Sequence, residues 1–226
     1  MPFSNETLNF LFENRSNNSK EWFHAHKADY DSYVKKPFAE LIAGLEPTIH
    51  TIDKEILCDS RRISRIYRDT RFSKDKSLFR ENMWCSLSRP KDNRPMPEFY
   101  FVCGTSGISY GCGYYQMSRE AIEAMRLLIL SNDESFLKAK KAVEKQKVFA
   151  IGGDLYKRSK YPNQPEDIQL WLNRKNIYAY HDSKDFDLLF SEGLAQKVAS
   201  DMKLLKNFYM FLLKAESMVI SGETEK

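Results

Sequence analysis

The middle of the chain changes from helical spacing of apolar residues to strand-like alternation, and this change constrains the fold most. Short alternating runs occupy residues 83–87, 99–103 and 108–115, with a proline-rich polar segment after the first. Gly104-Thr105-Ser106-Gly107 predicts a turn that joins the last two runs in a hairpin. Because strands and helices do not alternate along the whole chain, the pattern favours an antiparallel sheet over a doubly wound fold.

Apolar residues at helical spacing predict helices on both sides of these strands. Ser4 is the expected N-cap of the first helix, Asn18 is that of the second, and Pro37 suits the first turn of the third. After the hairpin, Ser118 is expected to begin another helix. One helix, the longest of the chain, is predicted from Asp185 onward.

The chain has 226 residues, of which 42% are hydrophobic, so it is long enough to bury a core. The patterns predict an α+β fold, with an antiparallel sheet built from central hairpins and packed by N-terminal and C-terminal helices. We expect residues 1–216 to form a single α+β domain and residues 217–226 to be a frayed tail.

Residues 61–80, RRISRIYRDTRFSKDKSLFR, are strongly basic, and we call them the arginine segment. The segment holds eight Lys or Arg residues and two acids, Asp69 and Asp75. Forked guanidinium donors suit phosphate and carboxylate oxyanions. The side chains predicted to bind such an anion are Arg65, Arg68, Arg71, Lys74 and Lys76. The two acids are expected to orient these cations or to act as a base.

The start of the arginine segment alternates like a short strand, with Ile63, Arg65 and Tyr67 on one face. We expect Arg65 to emerge beside the core at the floor of a cleft, with Asp69 or Asp75 as its partner. The same alternation of Arg and Asp also fits a structural ion-pair network that only pins a loop.

The positive charge of the chain is concentrated around this segment. Residues 61–94 hold eleven bases and four acids, whereas the rest of the chain holds 24 bases and 27 acids. A local surplus fits a charged binding site better than general adhesion to nucleic acid or to a membrane.

Three other features are weaker candidates. Gly111 and Gly113 could let a ligand approach the backbone of a strand, although a bulge or close packing is the commoner reason for such glycines. His24 is a candidate proton carrier if the fold brings it to the arginine segment. The basic cluster at residues 157–162 contains Tyr161 and follows Tyr156, and it is either a solvated loop or a grip for single-stranded nucleic acid.

The cysteines Cys58, Cys85, Cys103 and Cys112 lack the close spacing of a metal or redox motif, so we expect reduced, mostly buried thiols. The four histidines are not clustered with carboxylates, so neither a metal nor a cofactor is predicted. The sequence has no basic stretch followed by an apolar run at its start and no apolar window of about eighteen residues. A cytoplasmic protein without a membrane span is therefore expected.

The sequence resembles a widespread microbial and fungal family of conserved proteins of unknown function. The resemblance is carried by Asn17-Asn18, Trp22-Phe23, His26, Tyr30, the run from Arg65 to Lys76, Gly111, Gly113, Arg126 and Leu172-Asn173-Arg174-Lys175. The chain departs from the family pattern at Leu78-Phe79-Arg80 and Met117-Ser118. The resemblance implies a one-domain fold and a functional region at the arginine segment, and it adds Arg126 to the candidate ligand-binding residues. It implies no activity.

Two functions fit these residues. The first is binding of a phosphate-bearing small molecule or nucleotide in an arginine-rich cleft, with catalysis left open. The second is a non-catalytic interaction module that docks an acidic protein partner, or nucleic acid, through the basic loop. A concave pocket with converging guanidinium groups would favour the first function, and a flat basic face the second.

Overall fold

The computed structural model describes residues 3–90 and 94–222. Residues 91–93 of the polar segment and residues 223–226 of the predicted tail lie outside this description. The described residues group into two compact units. The first comprises residues up to Leu87, Tyr100–Tyr110 and Asp182–Ser200, and the second comprises those of Ser88–Phe99, Gly111–His181 and residues from Asp201 onward. The single-domain expectation stays a prediction.

The fold is α+β, as predicted. Its helices are α1 (Asn5–Asn17), α2 (Lys20–Ala25), α3 (Lys27–Asp29), α4 (Lys36–Ile52), α5 (Arg119–Leu130), α6 (Glu134–Lys145), α7 (Glu166–Leu172), α8 (Phe186–Phe190), α9 (Leu194–Leu204) and α10 (Lys206–Ile220). A π-helical turn, Tyr30–Lys35, joins α3 to α4, and Ser60–Arg62 forms a 3-10 turn.

Five strands form one antiparallel sheet in the order β1-β2-β3-β5-β4. They are β1 (Asn82–Leu87), β2 (Glu98–Gly104), β3 (Gly107–Gly113), β4 (Ala150–Gly152) and β5 (Tyr178–Ser183). The predicted hairpin is the β2–β3 pair. In the β4–β5 pair, Ala150 lies opposite Tyr180 and Gly152 opposite Tyr178.

The helix boundaries differ from the sequence predictions at two places. Asn18 ends α1 in the left-handed conformation (φ 49°), and Ser19 caps α2 by accepting a hydrogen bond from the Trp22 N–H. Asn tolerates this conformation better than most residues, so it terminates a helix rather than starting one.

The single long helix predicted from Asp185 is wrong. The chain forms α8, α9 and α10 instead, because Ser191 takes an extended conformation (φ −83°, ψ 151°) just before Gly193. The α10 helix continues to Ile220, so residues 217–220 of the predicted tail are helical. With 17 residues, α4 is the longest α-helix in the described part of the chain.

The core of the first unit is rich in aromatic side chains. Phe3 packs edge to face on Phe38 of α4, with ring centroids 4.9 Å apart, and stacks on Phe101 of β2 at 5.9 Å. The inward face of α4 carries the buried residues Phe38, Leu41, Ile42 and Leu45.

The core of the second unit forms where α10 packs on α5 and α6. Phe136 of α6 meets Trp171 edge to face at 5.4 Å, and Tyr209 of α10 lies 5.2 Å from Phe99. Tyr114, directly after β3, donates a buried hydrogen bond of 3.0 Å to Glu216 of α10.

The four cysteines are free, and Cys85, Cys103 and Cys112 are buried as predicted. Burial raises the pKa of the Cys85 and Cys103 thiols to about 12. Among the described residues, no helix is long and apolar enough to cross a membrane.

Candidate functional site

The start of the arginine segment is not the predicted strand. Its pairing consists of two isolated antiparallel bridges, Ile63 with Cys85 and Tyr67 with Phe79. Between these bridges one chain advances by four residues and the other by six, so a continuous ladder cannot form. The segment is held by single backbone bonds instead, including one of 2.7 Å from the Ser64 N–H to the Trp84 carbonyl.

The side of this segment that faces the core is the one opposite to our expectation. Ile66 is buried, whereas Arg65 is exposed and Tyr67 is 37% exposed. Arg65 therefore lies on the open side, and the prediction that it emerges beside the core is wrong. The reason is that Ile66 and Phe79 take the core positions, and Phe79 packs on Tyr67 at 4.9 Å.

Asp75 pins the arginine segment to α1. Its carboxylate accepts hydrogen bonds from the guanidinium of Arg15 (2.6 Å), from that of Arg68, and from the backbone and hydroxyl of Ser77. Together with Arg15 and Arg68, Ser77 holds the pKa of Asp75 well below its usual range. A nearby bond of 2.7 Å, from the Leu78 N–H to the Asn18 side chain, strengthens the same attachment.

Asp69 forms a local fork with Arg71. The Arg71 Nε and Nη2 atoms donate to the two Asp69 oxygens at 3.0 and 2.7 Å. These hydrogen bonds lower the pKa of Asp69 to about 2, and the charge of Arg65 contributes to the shift. Asp69 is thus the carboxylate whose pKa is lowered by the charge of Arg65. The ion pairs of Asp75 are with Arg15 and Arg68.

These residues surround an open cleft of about 750 Å³, which we call the arginine cleft. Its lining residues are Arg61, Arg62, Ser64, Arg65, Tyr67, Arg68, Asp69, Thr70, Arg71, Arg80, Trp84 and Ser86. Six of the twelve are arginines and one is an acid, so the cleft is strongly positive.

The lining arginines differ in how far their charge is compensated. Arg68 and Arg71 pair with Asp75 and Asp69, and Arg61 pairs with Asp59 at 3.0 Å. No hydrogen bond or ion pair of the Arg65 guanidinium is found among the described residues. Arg65 therefore keeps a full set of donors for a ligand.

Aromatic groups add a planar wall to the cleft. The guanidinium carbon of Arg80 lies 4.4 Å from the centroid of the Trp84 ring, a cation–π contact. The sequence analysis missed Trp84, although strand parity could have found it. Met83, Cys85 and Leu87 are buried, so Trp84 points to the other face of β1.

Four predicted site residues of the first unit lie outside the lining of the cleft, namely Lys74, Asp75, Lys76 and His24. Lys74 is exposed, and the Lys76 ammonium donates to the Thr70 carbonyl at 2.8 Å within the segment. His24 is exposed on α2, where its ring lies 5.9 Å from that of Phe23. The predicted anion-binding residues that the structure brings together are thus Arg65, Arg68 and Arg71.

The remaining candidates belong to the second unit. Gly111 and Gly113 are buried in β3. Gly113 has φ 150°, and a Cβ atom there would lie 2.4 Å from the Tyr178 Cα, so close strand packing explains this glycine. Arg126 of α5 is 3% exposed and lies against the rings of Tyr156 and Tyr161.

Within the described residues, no group of three or more His, Cys, Asp or Glu side chains is arranged to hold a metal ion. The side chains that line the arginine cleft offer positive charge, hydrogen-bond donors and aromatic rings.

Comparison with known proteins places the chain in a family. No curated protein matches the sequence. The family model described as "Conserved hypothetical protein (DUF2461)" matches residues 6–211, nearly the whole chain. This match confirms the resemblance to a conserved family of unknown function. The chain belongs to the DUF2461 family of conserved hypothetical proteins.

Proposed function

We propose that the arginine cleft binds the phosphate group of a small molecule or nucleotide. The observation that carries the proposal is the lining of the cleft, which holds six arginines and one carboxylate, Asp69. Two of these arginines, Arg61 and Arg68, pair with carboxylates outside the lining. The guanidinium of Arg65 makes no ion pair within the described residues, so an incoming anion meets donors that are not already taken. Hydrogen bonds between charged groups are stronger than those between neutral groups.

The cleft is also organised before a ligand arrives. Asp75 fixes Arg68, whose side chain is only 22% exposed, and Asp69 fixes Arg71 in a two-pronged contact. Binding then costs little side-chain entropy, because these guanidinium groups are already held.

The aromatic wall favours a ligand that carries a flat group as well as a phosphate. Trp84 already stacks with Arg80, and the ring of Tyr67 is partly exposed in the same cleft. A nucleotide offers both a phosphate for the guanidiniums and a base for the rings. We therefore place nucleotides above simple phosphates among the expected ligands.

The proposal is one of binding rather than of catalysis. A general base works best when its pKa lies near the working pH. The pKa of Asp69 is lowered to about 2 and that of Asp75 still further, so both are weak proton acceptors. We keep the cytoplasm as the expected location, on the grounds of the four free cysteines.

The test is isothermal titration calorimetry with inorganic phosphate, pyrophosphate and a series of nucleoside mono-, di- and triphosphates. Arg65→Ala is the most informative variant. Arg65 has no ion pair among the described residues, so its removal leaves no carboxylate without a partner. Its affinity for the best ligand should fall by roughly ten- to a hundredfold, the value of one charge-assisted hydrogen bond. Lys203→Ala, which removes an exposed cation outside the cleft, should bind as the wild type does.

Docking of an acidic protein is the second candidate, and one observation favours it. Phe72 is 96% exposed beside Arg71, and an exposed aromatic ring with cations is typical of protein interfaces. If no phosphate compound binds and Phe72→Ala weakens capture of an acidic peptide, this second function replaces the first. If Arg65→Ala stays folded and binds phosphate compounds as tightly as the wild type, the arginine cleft is not their site.

A further inference from the structure

We propose that a second basic surface, in the second unit, binds single-stranded nucleic acid. We call it the tyrosine surface, and it consists of Tyr156, Lys157, Arg158, Lys160, Tyr161 and Lys175. It lies within one compact unit and shares no residue with the arginine cleft, so it stands or falls independently of the function proposed above.

Three cations surround the ring of Tyr156. The Lys160 ammonium lies 4.3 Å from its centroid, the Lys175 ammonium 5.5 Å, and the guanidinium carbon of Arg126 5.3 Å. The adjacent Arg126 guanidinium lowers the pKa of Tyr156, as expected at a positive potential. Glu123 offsets part of this charge through a contact of 3.4 Å with Arg126. The Tyr156 ring thus lies among three positively charged groups.

Arg126 supports both tyrosines from behind. Its side chain is almost fully buried, and its Nε atom donates to the Leu172 carbonyl at 3.1 Å. The guanidinium carbon also lies 5.8 Å from the centroid of the Tyr161 ring. Among the described residues, its Nη2 atom finds no hydrogen-bond partner. A buried guanidinium shared by two rings fixes their position and adds positive charge beneath them.

The outer side of the surface carries cations without counter-charges. Lys157, Arg158, Lys160 and Lys175 are exposed, and none makes an ion pair within the described residues. The sequence has no acid between residues 156 and 161. A surface loop with this charge has a strong electrostatic attraction for a polyanion.

Polar side chains, of which Asn173 and Arg174 are buried, hold this loop through hydrogen bonds that a merely solvated loop would not need. Asn173 is 7% exposed, accepts a hydrogen bond of 2.9 Å from the Lys160 N–H and donates one of 2.9 Å to Ser159. Gln169 donates to the Gln164 carbonyl at 2.8 Å, and Arg174 to the Gly153 carbonyl at 2.8 Å. The cations are thus displayed on a preorganised loop, which lowers the entropy cost of binding.

A further aromatic ring lies near the same turn. Tyr115 is 82% exposed, and its carbonyl accepts a hydrogen bond of 3.2 Å from the Asn176 side chain, next to Lys175. The half-buried rings of Tyr156 and Tyr161 and the exposed ring of Tyr115 lie among cations. Such rings match the chemistry of a single strand, whose bases stack while its phosphates meet Lys and Arg. In a duplex the bases are stacked on each other and cannot stack on the tyrosine rings, so a single strand is the favoured partner.

The test measures fluorescence anisotropy of a labelled oligo(dT) of about 12 nucleotides, within the usual range of single-strand sites. The full chain should bind, with an affinity that falls linearly in a log–log plot against salt. The double variant Lys160→Ala/Lys175→Ala should lower the slope by about 1.4, since each phosphate contact contributes roughly 0.7. Tyr115→Ala removes an exposed ring and should weaken binding by about tenfold or more.

Lys203→Ala is the matched control, because it removes an exposed cation outside both the tyrosine surface and the arginine cleft and should leave oligo(dT) binding and its salt slope unchanged. The proposal is overturned if the wild type does not bind oligo(dT), or if duplex DNA or polyglutamate binds equally well. It is also overturned if the folded double variant keeps the wild-type slope. If Arg65→Ala loses oligo(dT) binding and the double variant keeps it, the nucleic-acid site lies in the arginine cleft and not on the tyrosine surface. Calorimetric binding of inorganic phosphate reports on the cleft separately, so the two proposals fail independently.

Discussion

Two carboxylates of the arginine segment have different environments, although both pair with arginine. Asp69 faces the arginine cleft, and its ion pair in the described part of the chain is with its near neighbour Arg71. Asp75 accepts hydrogen bonds from Arg68 and Ser77 of its own segment and from Arg15 of α1. Asp75 thus attaches the arginine segment to α1. Asp69 lowers the positive charge of the cleft.

Asp75→Asn should flatten the acid dependence of stability. The pKa of Asp75 is lowered in the folded protein, so its contribution is present above the ordinary carboxyl pKa and is lost as the pH falls through the folded value. Between about pH 5 and pH 2, the thermal midpoint of the wild type should therefore fall more than that of the variant. Parallel curves for the two proteins would show that Asp75 does not fasten the segment.

At the scale of elements, the arginine segment is an irregular loop that is pinned at its two ends. The bridge between Tyr67 and Phe79 closes the loop, and the fully buried Phe79 packs against Phe23 at 5.3 Å. Phe72 at the far end is almost fully exposed. The two phenylalanines thus offer a matched pair, one under the loop and one at its tip.

Phe79→Ala should lower the free energy of unfolding by about 3–5 kcal/mol, the usual cost of truncating a buried phenylalanine. Phe72→Ala should change it by less than about 0.5 kcal/mol, because its ring touches mostly solvent. Urea denaturation of both variants measures the difference. Similar losses in the two variants would mean that Phe79 does not anchor the loop.

The buried pair that joins the end of β3 to α10 has its own pH signature. Burial raises the pKa of Glu216, so the native state holds its proton more tightly than the unfolded chain does. Its contribution to stability is present below the ordinary glutamate pKa and is lost as the pH rises through the folded value. Glu216→Gln keeps an acceptor for Tyr114 and removes this charge.

We therefore expect Glu216→Gln to match the wild type near pH 4 and to be more stable than it near pH 7 or 8. Denaturant midpoints at both pH values measure the effect. A variant that is less stable at the higher pH would show that the Glu216 charge is favourable where it lies.

Local patterns in the sequence predicted the regular elements well. The hairpin followed from alternation and a glycine-bounded turn, and the capping residue Ser118 gave the start of α5. The helix predicted from Asp185 failed because its apolar spacing continues across a break at Ser191–Gly193 that only backbone conformation reveals.

At the scale of the whole molecule, the limits of sequence reasoning come from contacts between distant residues. The pattern of the arginine segment predicted Arg65, Arg68 and Arg71 as binding residues, and all three line the arginine cleft. Arg15 lies 60 residues from Asp75 in the sequence, so no local pattern could have paired them. The sequence does not predict that Ile66 is buried, because both faces of its short segment mix apolar and charged groups. Packing against distant residues decides which face is buried.

If the arginine cleft binds phosphate, a tetrahedral oxyanion should occupy it, and crystallography can locate such an anion. Crystals soaked in tungstate, an anomalously scattering mimic of phosphate, would reveal the position of a bound anion. We predict an anomalous peak within hydrogen-bonding distance of Arg65 and Arg68 that disappears in crystals of Arg65→Ala. A cleft without a peak, or a peak that persists in the variant, would contradict the account.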